Sequence, residues 1–490
     1  MRLAELFPAE LLHGAELSEG WGNRQISGLT ADSRNVAANM VFFAVPGTKA
    51  DGLGFVGQAL ERGAAAIVAE EKPKMGSGSA AFIMVRNVRA ALAQAAARFY
   101  PRQPETIVAV TGTSGKTSVA DFVRQIWTSL GVNSASLGTL GIVAPATHTA
   151  GALTTPDPVN LHKRLDQLAE QGITHLAMEA SSHGILQRRL DGVHLTAAAF
   201  TNLSRDHLDY HSTLDDYLAA KLELFDRLLE PGQSAVIDAD SDVAEKVIGT
   251  CKTRGLRVFT TGYRGTDLHL VEAKAEAFST RLKIASADQF HAILLPLAGA
   301  FQTANALVAA GLCISAGSPA HDVLPALEKL HGAPGRMELV GRRKGAPVFV
   351  DYAHKPDALE KALKALRPLV PGRLILVFGC GGDRDAGKRP IMGKLAVQLA
   401  DHVIVTDDNP RSEEPAAIRH AILAGAAGSD CIEEIGDRAQ AIAQAIARLR
   451  PNDGLLIAGK GHETGQIVGN ETRPFSDQAC VRAALNEAVA

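Results

Sequence analysis

Ile107-Val108-Ala109-Val110-Thr111-Gly112-Thr113-Ser114-Gly115-Lys116-Thr117-Ser118 is the stretch whose reading decides the fold. Its first four residues are apolar and read as a buried strand, and the amphipathic run Val119 to Leu130 reads as a helix. The loop between them is built of small residues. Its glycines let backbone N–H groups turn inward around phosphate oxygens, and the helix N-terminus adds partial positive charge. Lys116 can reach terminal phosphates and the Thr117 hydroxyl can bind Mg²⁺, which predicts ATP as a ligand. The strict phosphate-loop pattern has glycine where this chain has Val110, so the match is the variant Gly-Thr-Ser-Gly-Lys-Thr.

Working outward, 490 residues exceed one hydrophobic core, and about three domains are expected. The composition, 46% hydrophobic and 21% charged, is that of an ordinary globular protein. A net charge of −3 provides no broad basic field and argues against nucleic acid as a partner. Cys251, Cys313, Cys380, Cys431 and Cys480 are scattered without a CxxC pair. That pattern speaks against a zinc site or a disulfide framework and suits a reducing compartment. The N-terminus lacks the apolar core of a signal peptide, and no apolar run reaches about 18 residues. The expectation is a cytoplasmic, membrane-free enzyme.

Residues 1–102 hold short strand signals, including Val41 to Val45, and a helix from Arg89 to Phe99. Two polar loops there, Thr30 to Arg34 and Pro46 to Gly52, have donors suited to a ligand's phosphates or ring edges, although pattern alone favours solvated turns. Pro101 and Pro104 mark a boundary. Residues 103–335 alternate strands and helices, implying βαβ units on a mostly parallel sheet whose ligands gather at strand carboxyl ends. The loops expected there begin with Thr154-Thr155-Pro156. Ala180-Ser181-Ser182-His183-Gly184 follows the strand ending at Glu179, and Asn202 to His207 follows the strand Ala197 to Thr201.

Glu179 and His207 could complete a Mg²⁺ site with phosphate oxygens, since magnesium takes few protein ligands. Alone they would read as a helix-start acid and an exposed loop histidine, but their place after a phosphate loop in the same sheet favours the metal site. Lys221 lies in a helical stretch, Leu214 to Leu229, with Leu218, Leu222 and Phe225 as its apolar stripe. On pattern alone it reads as a surface lysine, and an ammonium has no lone pair with which to ligate a metal.

His331 to Arg336 is a turn-rich second boundary. Residues 336–490 alternate again, with strands at Val348 to Val350, Leu374 to Phe378, Val403 to Val405 and Leu455 to Ala458. Each is followed by a polar loop: Asp351 to Pro356, Gly379 to Arg384, Asp407 to Arg411, and Gly459 to Glu463. A dinucleotide fingerprint fails in the second of these, because Arg384 stands where its last glycine belongs.

With these loops in view the chain resembles the Mur ligase family over essentially its whole length. The resemblance rests on Gly112 to Thr117, Glu179, Asn202 with Asp206-His207, Asn305 after Gln302, Gly335-Arg336, and Asp351-Tyr352-Ala353-His354 with Pro356. Thr154-Thr155-Pro156, Glu179 to Gly184, and Asp408-Asn409-Pro410-Arg411 look like the branch adding the third residue of the peptidoglycan stem peptide. In that branch the Asp-Asn-Pro-Arg loop goes with meso-diaminopimelate, and lysine-adding relatives lack its arginine.

The resemblance implies an α/β fold of three domains. These are a small α/β UMP-recognising domain, a P-loop-type ATPase domain, and a Rossmann-like domain that closes over the site. It assigns Gly112 to Ser118, Asn305, Arg336 and Asp351 to ATP. Ala31, Ser33 and Thr48-Lys49-Ala50 fall to the uridine diphosphate, and Thr154, Thr155, Ser181, Gln187 and Arg189 to the muramoyl dipeptide. Arg389, Asp408 to Arg411, Gly459 and Glu463 fall to diaminopimelate. Thr117, Glu179, His207 and Lys221, the last as N6-carboxylysine, would hold Mg²⁺, and Lys116, Glu179, His207 and Lys221 would be catalytic. A larger apolar residue is common at Ala31, and asparagine can occur at Leu153.

The reaction implied is ATP with UDP-MurNAc-L-Ala-D-Glu and meso-diaminopimelate giving the tripeptide product, ADP and phosphate, by a monomer. Rival readings are the lysine-adding form, a folylpolyglutamate- or dipeptide-adding relative, an ATP-driven switch or motor, and a non-catalytic nucleotide scaffold.

Overall fold

The structure is a computed structural model that describes every residue except 9–18, 48–50, 73–79, 146, 150, 152, 205–209, 288 and 488–490. The chain divides into two compact units, Met1–Leu268 with Val308–Val323, and His269–Leu307 with Leu324–Ala490.

The first unit opens with strands β1 (Gly28–Thr30), β2 (Met40–Phe43), β3 (Ala66–Ala69) and β4 (Ala81–Met84), paired in chain order and parallel throughout. The helix Val88–Phe99 starts where the Asn87 side chain accepts the Ala90 N–H. Its small face, Ala95 and Ala96 with Leu92, packs into a core containing Phe7, Val41 and Phe43.

The larger sheet of this unit comprises β5 (Thr106–Thr111), β6 (Ser134–Gly138), β7 (Gly141–Ala144), β8 (Thr147–Thr149), β9 (His175–Glu179), β10 (Ala197–Phe200), β11 (Ser234–Asp238) and β12 (Arg257–Gly262). Their spatial order is β12-β11-β10-β5-β9-β6-β7-β8. Pairings from β12 to β6 are parallel, and β7 and β8 turn back antiparallel. Parallel strands covered on both faces must be apolar along their length. Accordingly Ile107, Ala109, Leu176, Met178, Ala198 and Phe200 all sit in the core. Because β5 lies between β9 and β10, both reached later in the chain, the carboxyl ends of these three strands form a crevice at a topological switch point.

In the second unit β13 (Leu268–Glu276), β14 (Ser279–Ser286) and β15 (Gln289–Leu295) pair antiparallel. A six-stranded sheet follows: β16 (Glu338–Arg343), β17 (Ala346–Asp351), β18 (Leu374–Phe378), β19 (His402–Val405), β20 (Ile432–Glu434) and β21 (Gly454–Ala458). The order is β16-β17-β21-β18-β19-β20, parallel except at the β16 edge. Side chains alternate along β18. Leu374, Leu376 and Phe378 face a core shared with the helices Pro356–Leu366 and Lys388–Leu399. Ile375 and Val377 face one shared with Arg438–Ala447. The return of β21 between β17 and β18 makes a second switch point. The hairpin β22 (Gly465–Val468) and β23 (Glu471–Pro474) follows it.

The α/β class with mostly parallel sheets therefore matches the expectation. The strands expected from the sequence form within a residue or two of their expected ends. Not foreseen were the antiparallel β13 to β15 and the edge strands β16 and β20. Among the described residues no helix is long and apolar enough to cross a membrane.

Candidate active site

In the first unit the phosphate loop runs from β5 into the helix Lys116–Ser129. Gly112 (φ 145°) and Gly115 (φ 88°) take left-handed backbone. A Cβ on Gly112 would stand 1.9 Å from Thr201 Oγ1, so only glycine allows the approach. The loop is stitched to the end of β10. Thr113 N–H donates to the Asn202 carbonyl (2.8 Å) and Ser114 N–H to Asn202 Oδ1 (3.0 Å). Thr201 Oγ1 donates to the Ser114 carbonyl (2.7 Å). Lys116 Nζ folds back on the carbonyls of Gly112 and Thr113, both at 2.9 Å. Ser118 is buried in the first turn of the helix.

Glu179 closes this corner from the end of β9 and is only 2% exposed. Its carboxylate accepts from Thr117 Oγ1 (3.1 Å), the Thr139 N–H (2.6 Å) and Thr139 Oγ1 (3.2 Å). Every one of these donors is neutral. A buried carboxylate whose hydrogen-bond donors among the described residues are neutral is costly, and a hard divalent cation among carboxylate and hydroxyl oxygens would relieve it. The donor set therefore fits Mg²⁺. Among the described residues no group of three or more His, Cys, Asp or Glu could hold a metal alone. That suits an ion completed by phosphate and water.

Thr155, Ser181 and Arg189 form one network beside Glu179. Thr155 Oγ1 donates to the Glu179 carbonyl (2.9 Å) and accepts from Ser181 Oγ (3.1 Å). Arg189 Nη1 donates to the Thr155 carbonyl (2.6 Å), and its Nη2 to Gln187 Oε1 (2.7 Å). Thr154 joins through Thr139, their hydroxyls 3.1 Å apart. Ser181 also caps the helix Ser182–Leu186.

Lys221 corrects the pattern-only reading of a surface lysine, being 1% exposed. Its helix, Leu214–Asp226, buries a face wider than a simple stripe, including Tyr217, Leu218, Ala220 and Leu224. One turn earlier Tyr217 lays its ring 4.1 Å from Lys221 Nζ, and that nitrogen donates to the Gly112 carbonyl at 2.7 Å. Lys221 thus points at the phosphate loop.

Of the residues expected at the uridine diphosphate, Ser33 is buried and donates to Gln58 Oε1 (2.5 Å), while Ala31 is exposed. Thr48, Lys49, Ala50 and His207 lie outside the described residues.

In the second unit Asp351 ends β17. Its two oxygens accept the N–H groups of Met337 (2.6 Å) and Ala353 (2.8 Å). Burial pushes its carboxyl above the ordinary value against the pull of Arg336. The Arg336 guanidinium stacks 4.5 Å over Tyr352. Its carbonyl accepts from Gln302 Nε2 (3.2 Å), and Gln302 Oε1 accepts from Asn305 Nδ2 (3.4 Å). Asn305, Arg336 and Asp351 are therefore linked in one neighbourhood.

The loop after β19 is the second cluster. Arg411 (φ 52°) pairs with β22 through its N–H to the Ile467 carbonyl (3.0 Å) and its own carbonyl to the Gly469 N–H (2.7 Å). Its Nη1 donates to the Gly382 carbonyl at 2.8 Å. Asn409 donates to Glu463 Oε2 (2.7 Å) and accepts from the Ile467 N–H (2.9 Å). Arg389 is buried against Glu413 at 2.8 Å. Gly459 (φ 117°) leaves room for Asp408 Oδ2, which a Cβ there would approach to 2.6 Å. Pro410 presents its carbonyl to the backbone at Gly382. Sequence reasoning missed Thr139 and Lys460, although a Gly-Thr pair at a strand end and a Gly-Lys-Gly loop were the available signals.

Fold and site together define a phosphate-loop α/β protein with a crevice at a topological switch point. Family models match in three consecutive pieces: the Mur ligase family catalytic domain over residues 25–100, the Mur ligase middle domain over 110–313, and the Mur ligase glutamate ligase domain over 335–461. The chain is 57% identical over 470 residues to UDP-N-acetylmuramoyl-L-alanyl-D-glutamate--2,6-diaminopimelate ligase of Bradyrhizobium diazoefficiens, covering 95% of this chain and 96% of that protein. It is 55% identical to the protein of the same name from Agrobacterium fabrum over 95% and 94% of the two chains. A solved structure bearing that enzyme name matches at 32% identity and TM-score 0.73, covering 100% and 99%. The fold also matches MurF ligase of Thermotoga maritima in complex with ADP, at 20% identity, TM-score 0.60 and 94% and 97% coverage. The chain belongs to the Mur ligase family.

Proposed function

We propose that this chain is the ATP-dependent ligase joining meso-diaminopimelate to the D-glutamate γ-carboxylate of UDP-MurNAc-L-Ala-D-Glu, in cytoplasmic peptidoglycan precursor synthesis. It acts as a monomer of three domains divided near residues 102 and 335. The observation that carries this reading is the Asp408–Arg411 loop. It lies at the carboxyl end of β19, on a protein otherwise equipped to bind phosphates, with an arginine held in left-handed backbone.

A carboxylate is a poor acyl donor because its leaving group would be oxide. Transfer of the γ-phosphoryl group from ATP gives an acyl phosphate and ADP. The amine then attacks the acyl carbon, the amide bond forms, and phosphate leaves with its electron pair while the amine's proton goes to solvent. The protein's part is positioning and charge neutralisation. Lys116 and the loop N–H groups stabilise the β- and γ-phosphates, and Asn305, Arg336 and Asp351 are assigned to the nucleotide. Thr117 and Glu179 would hold Mg²⁺, which would supply positive charge beside the phosphates. His207 and Lys221, the latter as a carbamate, would hold a second ion. Ala31, Ser33 and Thr48 to Ala50 take the uridine diphosphate, and Thr154, Thr155, Ser181, Gln187 and Arg189 the muramoyl dipeptide.

Arg411 vets the amino acid. Diaminopimelate carries a distal carboxylate that lysine lacks, and a guanidinium offers a planar fork for it. Arg389, Asn409, Pro410, Gly459, Asp408 and Glu463 complete that pocket. The test is ADP release with the UDP-dipeptide present while amino acids are scanned. Diaminopimelate should be preferred over lysine by orders of magnitude. Preference for lysine, or for a folate substrate, would replace this reading with another ligase, and ATP hydrolysis needing no amino acid would replace it with a switch.

A further inference from the structure

Lys460 is a lysine with no solvent exposure, in the Gly459-Lys460-Gly461 turn after β21. Burying an ammonium is costly unless it is paired and hydrogen-bonded. Its Nζ donates to Glu463 Oε2 and to Asn409 Oδ1, both at 3.0 Å. Those two acceptors are themselves joined, since Asn409 Nδ2 donates to the same Glu463 Oε2 at 2.7 Å. Asn409 Oδ1 takes a further bond from the Ile467 N–H at 2.9 Å. Glu463 Oε2 is thus fixed by two donors. Its other oxygen, Oε1, has no hydrogen-bond partner among the described residues, and the side chain is 30% exposed.

Beside this triad Asp408 is 7% exposed, and its Oδ2 is buried without a hydrogen-bond partner. Two carboxyl oxygens, Glu463 Oε1 and Asp408 Oδ2, are therefore left as acceptors in one loop cluster. Lys460 offsets one of the two negative charges.

We propose that Lys460 is a positioning residue for the incoming amino acid. It clamps Glu463 and Asn409 so that Glu463 Oε1 is presented to the ligand's ammonium group, and it lowers the repulsion between Glu463 and Asp408. The inference rests on the reading of this loop cluster as the amino-acid site. Lys460 touches no substrate in this account; it acts through Glu463.

The experiment compares wild type, Lys460→Met and Lys460→Gln in steady-state kinetics with ATP, the UDP-dipeptide and diaminopimelate varied in turn. A hydrogen bond to a charged group is worth enough that its loss should raise KM for diaminopimelate roughly tenfold to a hundredfold in Lys460→Met. KM for ATP and the UDP-dipeptide should stay within about twofold. Lys460→Gln, which keeps a donor without the charge, should recover part of the loss. Adding Glu463→Gln to Lys460→Met should cost far less than it costs wild type, because the two act through one contact. Equal movement of all three KM values, an unchanged KM for diaminopimelate, or additive losses would overturn the proposal. If Lys460→Met does not fold, Lys460→Gln carries the same comparison. Wild type that fails to use diaminopimelate would instead remove the underlying reading, so the two failures are separable.

Discussion

The phosphate-loop corner of the first unit and the Asp408–Arg411 cluster of the second handle charge in opposite ways. In the first, Glu179 is surrounded by hydroxyls and an N–H, while Lys116 and Lys221 donate to backbone carbonyls. In the second, Lys460 is paired with Glu463 and Arg389 with Glu413. In the first corner Glu179 accepts from neutral hydroxyl and N–H donors, and Lys116 and Lys221 reach the carbonyls of the phosphate loop. A buried carboxylate held by dipoles gains most from a cation, and a lysine at a phosphate loop from an anion. The other region pairs two of its cations with carboxylates inside the cluster and leaves Asp408 Oδ2 without a hydrogen bond, so on the proposed reading it recognises by the direction of the groups left over. A reaction that moves a phosphoryl group needs the first arrangement, and choice between two similar amino acids needs the second.

The largest effect should come from Lys116→Ala. If the first corner works by electrostatics, removing one preorganised donor lowers kcat about 10²- to 10³-fold. Lys116 lies at a helix start, where alanine is well tolerated, so the thermal midpoint should hardly move. Turnover near wild type, measured as ADP release, would break the contrast at its stronger end. Arg411→Ala should come next. It should lower kcat/KM for diaminopimelate roughly tenfold to a hundredfold and leave that for lysine within a fewfold, because only the former has a distal carboxylate to lose. Its Nη1 also holds the Gly382 carbonyl. A loop that merely loosens would lower both substrates together, so the ratio, and not the absolute rate, decides.

How much of this was legible follows the same division. The phosphate loop announces itself because backbone geometry, glycine and one lysine must all come within a few residues of sequence. The parallel strands are continuous apolar runs, and β18 from Leu374 to Phe378 matches its expected limits to the residue. Lys221 was not legible in the same way. Its burial depends on Gly112, distant in the chain, and on a ring one helical turn away, and no local pattern carries the first of these. Thr139 was missed because its partner Glu179 arrives only when β6 pairs with β9. The edge strands β16 and β20 have mixed burial and few apolar residues, so periodicity had little to register. The position of Arg411 in sequence was plain, but its left-handed backbone and its pairing with β22 were not.

The smallest effect concerns acid, and it separates the regions by where a neutral histidine sits. His354 follows Asp351 in the second unit, and burial lowers its pKa to about 4 despite the Tyr352 carbonyl 2.8 Å from Nδ1. In the first unit burial likewise lowers His162 to about 4, but within the helix Pro158–Glu170 and bonded to the Asp191 carbonyl at 3.0 Å. Both are depressed below the unfolded value of about 6.5. Their contribution to stability is complete above that pH and is lost as pH falls toward 4, since the unfolded chain takes up the proton first. At pH 5 the His354 share, discounted for its partial exposure, should be about 1 kcal/mol. His354→Gln and His162→Gln should each therefore show a smaller drop in urea midpoint between pH 7 and pH 5 than wild type. Only His354→Gln should also flatten the acid limb of nucleotide binding, because His354 stands three residues from Asp351 while His162 is packed inside a helix face. Equal changes in nucleotide binding for both variants would mean that acid acts on the whole fold and not on the ligand loop.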